Sequence, residues 1–176
     1  MDEFQKFLKN RDNDELVTKA LTDRSYKKVY QKENHSEMAE DNINAELGTY
    51  GDAVLKLALC KILFDSKVKN ISEEKKNYES DKVLVDVVAR HYDVLKYINF
   101  DCEDQNMPHN YDYTGDTYKY IATAVEACLA VIYLKHEKTE KGKGLEIIIQ
   151  VVEAWIKLID SKSRVRSDNL CLYKNK

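Results

Sequence analysis

Along this 176-residue chain apolar positions recur at helical rather than alternating spacing, and no segment carries a convincing strand pattern. Phe4, Phe7 and Leu8 predict a short N-terminal helix. Asp12-Asn13-Asp14 offers a cap for a second helix, with Leu16, Val17, Ala20 and Leu21 as its apolar stripe. Residues 30–42 are polar and predict a loop. An apolar run headed by Asp52 and reaching Phe64 predicts a long helix over roughly 43–65. Ser72-Glu73-Glu74 predicts the start of another, over about 72–92, burying Val83, Leu84, Val87 and Val88. Val94 to Ile98 reads as a short apolar turn or helix, and residues 99–116, with Pro108 amid Asn, Asp and Gly, as a flexible connection. A second long apolar run predicts a helix over 117–135, then a loop around Gly142 and Gly144. A last helix over about 145–160 turns Ile148, Val151, Val152, Trp155, Ile156 and Ile159 inward. The expected class is an all-α helical bundle.

Two acids interrupt this pattern. Asp52 heads the first apolar run, and Glu126 is the single acid between Ile121 and Leu134. An unpaired carboxylate inside an apolar helix must neutralise or find a cation. Two of them in separate segments imply that they meet around something positive. Read from the residues alone, a plain alternative stands beside this: Asp52 pairs with Lys56 at i+4, and Glu126 pairs with Arg24 or Lys119.

Composition narrows the class without choosing a function. With 43% hydrophobic and 34% charged residues, one proline and five glycines, the chain suits a helix-rich domain with its own core. No apolar run is long enough to span a membrane, and the acidic N-terminus carries no apolar signal core. Cys60, Cys102, Cys128 and Cys171 are unpaired in spacing, and Cys60 and Cys128 read as buried thiols, which points to a reducing, intracellular and cytoplasmic setting. His35, His91, His109 and His136 have no spacing suited to a shared metal. The net charge of −3 hides a basic stretch at 161–176, where Lys162, Arg164, Arg166, Lys174 and Lys176 face only Asp168. The rest of the chain is therefore more acidic than the whole, and nucleic acid would need clustered basic residues or this tail. The tail also reads as a solvated terminus. Tyr111, Tyr113, Tyr118 and Tyr120 could stack on bases or pack onto their own helix.

Three ordered stretches resemble the catalytic domain of the ribonuclease III family. Ala20-Leu21-Thr22-Asp23-Arg24-Ser25-Tyr26 is similar to its ALTHRSY element, with Asp23 in place of histidine. Residues 44–55, Asn-Ala-Glu-Leu-Gly-Thr-Tyr-Gly-Asp-Ala-Val-Leu, resemble its signature NERLEFLGDAVL, and residues 121–134 its second acidic helix. The resemblance covers roughly 1–160 as one domain, with 161–176 as a basic tail too short for the double-stranded-RNA-binding domain that often follows.

The resemblance implies an all-α dimer, with itself or with another ribonuclease III-type domain, whose partner is double-stranded or structured RNA. It also implies magnesium held by four carboxylates. Those four places fall on Gly48, Asp52, Thr123 and Glu126, so the metal-ligand set is reduced to Asp52 and Glu126. A further family glutamate falls on Ala45, and the aromatic that locks the dimer falls on Thr49. Lys119 lies where a phosphate-favouring lysine often stands, and Arg164 and Arg166 are the candidate RNA contacts of the tail. At ~100° per residue, positions 45, 48 and 52 share one helical face. Glu46 lies on the wrong side and Asp116 too far along the axis to compensate, while Glu37, Glu40 and Asp41 could fold over the site. Two carboxylates can hold one magnesium ion weakly, but a two-ion clamp is hard to assemble from them. The expectation is an RNA-binding domain whose hydrolysis is lost or strongly weakened. The alternative is an active magnesium-dependent endoribonuclease with an altered metal shell.

Overall fold

Two long apolar runs become the two helices on which everything else is arranged. The computed structural model describes residues 2–10, 14–101 and 117–173; the side chains of Glu40, Thr117, Tyr118 and 164–173 lie outside the description. Short helices α1 (Glu3–Lys9), α2 (Glu15–Ala20) and α3 (Tyr26–Asn34) lead through a 3-10 turn, Glu40–Asn42, into the long helix α4 (Ala45–Asp65). Helix α5 (Ile71–Glu79) precedes a helical stretch in three parts: α6 (Asp81–Val83), a π-helical segment (Leu84–Ala89) and α7 (Arg90–Tyr92). A 3-10 turn (Val94–Tyr97), α8 (Thr117–Thr139) and α9 (Lys143–Tyr173) complete the described residues. The all-α class holds, with one isolated bridge between Thr22 and Asn99.

Helix α4 packs along α8, and both pack on α9. Leu47, Val54, Leu55, Ala58, Leu59 and Leu63 are buried at helical spacing on α4, and Ile121, Val125, Cys128, Leu129 and Ile132 on α8. At about 1.5–3 kcal/mol for each fully buried aliphatic side chain, this seam is a principal stabiliser of the bundle. Helix α4 stops at Ser66 with Lys67 in the left-handed region, where Lys67 N–H donates to Phe64 O and Val68 N–H to Leu63 O, both at 3.0 Å. At the other end of the core, Phe4 meets Tyr92 and Trp155 edge-on at centroid separations of 5.0 and 5.1 Å. The Tyr92 hydroxyl donates to Asp2, whose carboxylate also caps α1 through Gln5 N–H.

Several expectations are corrected. The polar stretch 30–42 is not all loop, because α3 runs through Asn34. It buries no residue, so it has no apolar stripe to reveal it. The helix expected over 72–92 breaks at Ser80, which is extended (φ −72°, ψ 144°) and whose hydroxyl accepts from Val83 N–H to start a new helix. Leu16 lies outside the stripe on α2, at 41% exposure, and Cys60 is half-buried rather than core. Gly144 belongs to α9, where a Cβ would stand 2.7 Å from Tyr133 O, and the turn is made by Gly142 at φ +88°. Helix α9 also continues well past 160, through Tyr173. The expected flexible connection begins later than residue 99: Asn99 N–H donates to Leu21 O and Asp23 N–H to Asn99 O, and Asp101 is buried. Its remainder, with Pro108, His109, Tyr111, Tyr113 and Asp116, lies outside the described residues.

Candidate active-site remnant

Asp23, where the resemblance expects a histidine, is buried and accepts from Ser25 N–H at 2.8 Å, closing the turn before α3. One residue earlier, Thr22 O accepts from Asn44 N–H at 2.9 Å. This bond ties the first motif to the start of α4 and fixes where the signature helix begins.

Two glycines then set how α4 lies against α8. A Cβ on Gly51 would fall 1.8 Å from the carbonyl oxygen of Glu126 and 2.4 Å from its carbon. The backbones approach so closely there that no side chain fits. Asp52 follows Gly51 directly, so the crossing that excludes a side chain also brings Asp52 beside Glu126. One turn earlier, a Cβ on Gly48 would stand 2.6 Å from Cγ2 of Thr123. Gly48 and Thr123, the two positions expected to have lost a carboxylate, thus lie against each other, the glycine leaving the space that the threonine methyl fills.

Asp52 accepts a hydrogen bond from Lys56 Nζ at 2.7 Å, one helical turn on. The pairing and the nearby charges of Asp52, Glu79 and Glu126 hold the Lys56 ammonium above its ordinary value, against its partial burial. Glu126 is half-buried. Burial, then the charge of Asp52, then that of Asp81, pushes its carboxyl up to about 7, against the pull of Lys56. The sequence-predicted pair therefore does come within mutual electrostatic reach, with Lys56 as a cation common to both.

Two acids that sequence reasoning missed complete the surroundings. Asp81 begins α6 and Glu79 ends α5, where it pairs with Lys75 at 3.1 Å. Both come from the break at Ser80, and Ser80-Asp81, a capping serine followed by a first-turn acid, is the signal that could have revealed them. The other candidates stand elsewhere. Glu46 points to Lys19 at 3.9 Å, Asp41 is exposed, and Glu37 lines a surface cleft with Lys27, Gln31 and Met38. Lys119 is exposed on α8, in helical phase with Thr123 and Glu126 and about 10 Å along the axis from the latter. The side chains of Arg164, Arg166 and Glu40 lie outside the described residues.

This donor set does not fit a pair of magnesium ions. Gly48 and Thr123, where the resemblance would place two of four carboxylates, are packed together with no acid between them, and Asp52 is engaged by Lys56. Among the described residues no three His, Cys, Asp or Glu side chains converge so as to hold a metal.

The outer face of α4 carries an apolar stripe interrupted by the exposed Lys61–Asp65 ion pair. Tyr50, Leu57 and Phe64 recur every seven residues and are 43%, 53% and 71% exposed, while Thr49 beside them is also exposed. No helix of the described residues is long and apolar enough to cross a membrane.

Comparison with known proteins agrees with this fold. The nuclease domain of ribonuclease III from Campylobacter jejuni, studied for structural flexibility in a region involved in dimer formation, is 20% identical and shares the fold at a TM-score of 0.61, over 86% of this chain and 94% of that one. The Ribonuclease III domain model matches residues 45–137, a span that includes α4, all but the last two residues of α8, and both Asp52 and Glu126. With more than half of its sequence matched, the chain belongs to the ribonuclease III domain family.

Proposed function

We propose that this chain is an RNA-binding member of its family in which hydrolysis has been lost or strongly weakened. Family members generally cut double-stranded RNA with magnesium, and the observation that supports the reading is the packing of Gly48 on Thr123, two positions to which the resemblance assigns metal-binding carboxylates. Asp52 and Glu126 remain as the acids of that site. Loss of metal ligands removes the charge stabilisation on which phosphoryl chemistry depends, at a cost on the order of 100-fold in rate or more. Lys119 on α8, with Arg164 and Arg166 on α9, supplies the phosphate contacts. The apolar stripe Tyr50–Leu57–Phe64 is the surface for a second ribonuclease III-type domain, identical or related, without the aromatic lock that Thr49 replaces.

Binding of duplex RNA by the full chain, followed across salt concentrations, tests the reading. The logarithm of affinity should fall linearly with that of salt, and Arg164→Ala with Arg166→Ala should reduce the slope by roughly 2. A salt-independent affinity, or none, contradicts it. Asp81 favours one rival, because its charge reaches Glu126 and it could stand in for a lost ligand in an active endoribonuclease. That rival requires Asp81→Asn to abolish a cutting activity that the wild type possesses.

A further inference from the structure

Lys56 is hydrogen-bonded to Asp52 on α4 and feels the charges of Glu79 at the end of α5 and Glu126 on α8, while Asp81 at the start of α6 acts on Glu126. The Lys56–Asp52 pair is itself an i,i+4 pair whose side chains are 45% and 34% exposed, and what sets it apart from others on the surface is the half-buried Glu126 close to both members. We infer that Lys56 is the resident cation of the old metal site: tethered to Asp52 at 2.7 Å, it balances the Asp52–Glu126 pair and excludes divalent metal.

The chemistry favours the lysine over an ion from solution. Magnesium sheds its water reluctantly and here would have to displace an ammonium already bonded to one of its two ligands. The lysine stem is part of α4, so Nζ competes at the high effective concentration of an attached group. An ammonium bonds to single oxygens and makes no demand for octahedral geometry, which suits a site that has lost half its ligands. Lys56 thereby offers Asp52 and Glu126 the positive charge that a metal ion would otherwise supply.

The inference rests on reading Asp52 and Glu126 as a remnant of the family's metal site, but not on RNA binding. Its test is manganese binding to the full chain at neutral pH, followed by the electron spin resonance of free Mn2+ and by calorimetry, using wild type, Lys56→Met, Lys56→Arg and Lys56→Met with Asp52→Asn. Removing the ammonium both frees Asp52 and adds one net negative charge, so Lys56→Met should bind Mn2+ at least about tenfold more tightly than wild type. Lys56→Arg, which keeps the cation, should behave as wild type, and Asp52→Asn should cancel the gain. Mn2+ should also raise the melting temperature of Lys56→Met and leave that of wild type unchanged. Equal Mn2+ affinity of wild type and Lys56→Met overturns the proposal. Should Lys56→Met fail to fold, wild type decides by carbon-detected NMR: selective Mn2+ broadening of the Asp52 and Glu126 carboxyl signals overturns the proposal, and unaffected signals support it. The two readings fail separately, since Mn2+ seated in a wild type that binds RNA uncut sinks only this one. Exclusion of Mn2+ from a wild type that ignores RNA sinks only the functional reading.

Discussion

Gly48 and Gly51 stand one turn apart on the same face of α4, and both lie against α8, but against different kinds of atom. Gly51 meets backbone, where an added Cβ would fall 1.8 Å from Glu126 O. Gly48 meets the end of a side chain, 2.6 Å from the Thr123 methyl carbon. A backbone contact cannot yield without moving two helices, whereas a methyl group can be removed by a single substitution. The first contact preserves the crossing of the family fold. The second sits where, on the proposed reading, the chemistry of the site has changed. Scaffold and ligand set are thus separable within four residues of one helix.

The sharpest way to break this comparison is Gly51→Ala. With no space for the methyl group, α4 and α8 must separate, and we expect a loss of about 3 kcal/mol or more in denaturant unfolding. A change under about 1 kcal/mol would mean that the crossing is not tight.

Glu126 offers the next largest effect. Its carboxyl is held near 7 in the fold against an ordinary value of 4.5, so folding favours the protonated form. The associated stability is fully present below about pH 4.5 and is lost as pH rises through 7. Glu126→Gln cannot ionise, and should match wild type at low pH while exceeding it at pH 8 by up to about 3 kcal/mol. Chemical denaturation of both proteins across pH checks the sign, and a wild type that gains on the variant with rising pH contradicts it.

The smallest effect sharpens the comparison most. Gly48→Ala should gain up to about 1 kcal/mol of helix propensity but spend it on the clash with Thr123. Thr123→Ser removes the methyl group that causes the clash. In combination the two should be more stable than their separate effects predict, with a coupling of about 1 kcal/mol in a double-mutant cycle. Strict additivity would show that the two positions do not share one space.

The sequence carried the long helices clearly, because α4 and α8 bury continuous apolar faces whose spacing is visible without coordinates. It also carried the meeting of Asp52 and Glu126, through motif positions whose helical phase follows from counting residues. Helix α3 was hidden for the opposite reason, since a helix that buries nothing leaves no periodic mark. The break at Ser80 was masked by helix-favouring residues on both sides, and with it went Glu79 and Asp81. Lys56 was legible as a partner of Asp52, but its reach to acids on α5 and α8 depends on tertiary packing that no local spacing encodes. The packing of Gly48 on Thr123 was likewise out of reach, because two separate substitutions become one contact only when the helices cross.

On the proposed reading, the fold has kept its RNA surface and given up its hydrolytic metal site. Duplex RNA incubated with the full wild-type chain in Mg2+ or Mn2+ tests it most directly, with Asp52→Asn as control and Gly48→Glu/Thr123→Asp as the attempt at repair. The account predicts bound but intact RNA with wild type and with Asp52→Asn, and more cutting by the repaired variant than by either. Efficient wild-type cleavage that disappears in Asp52→Asn would contradict it.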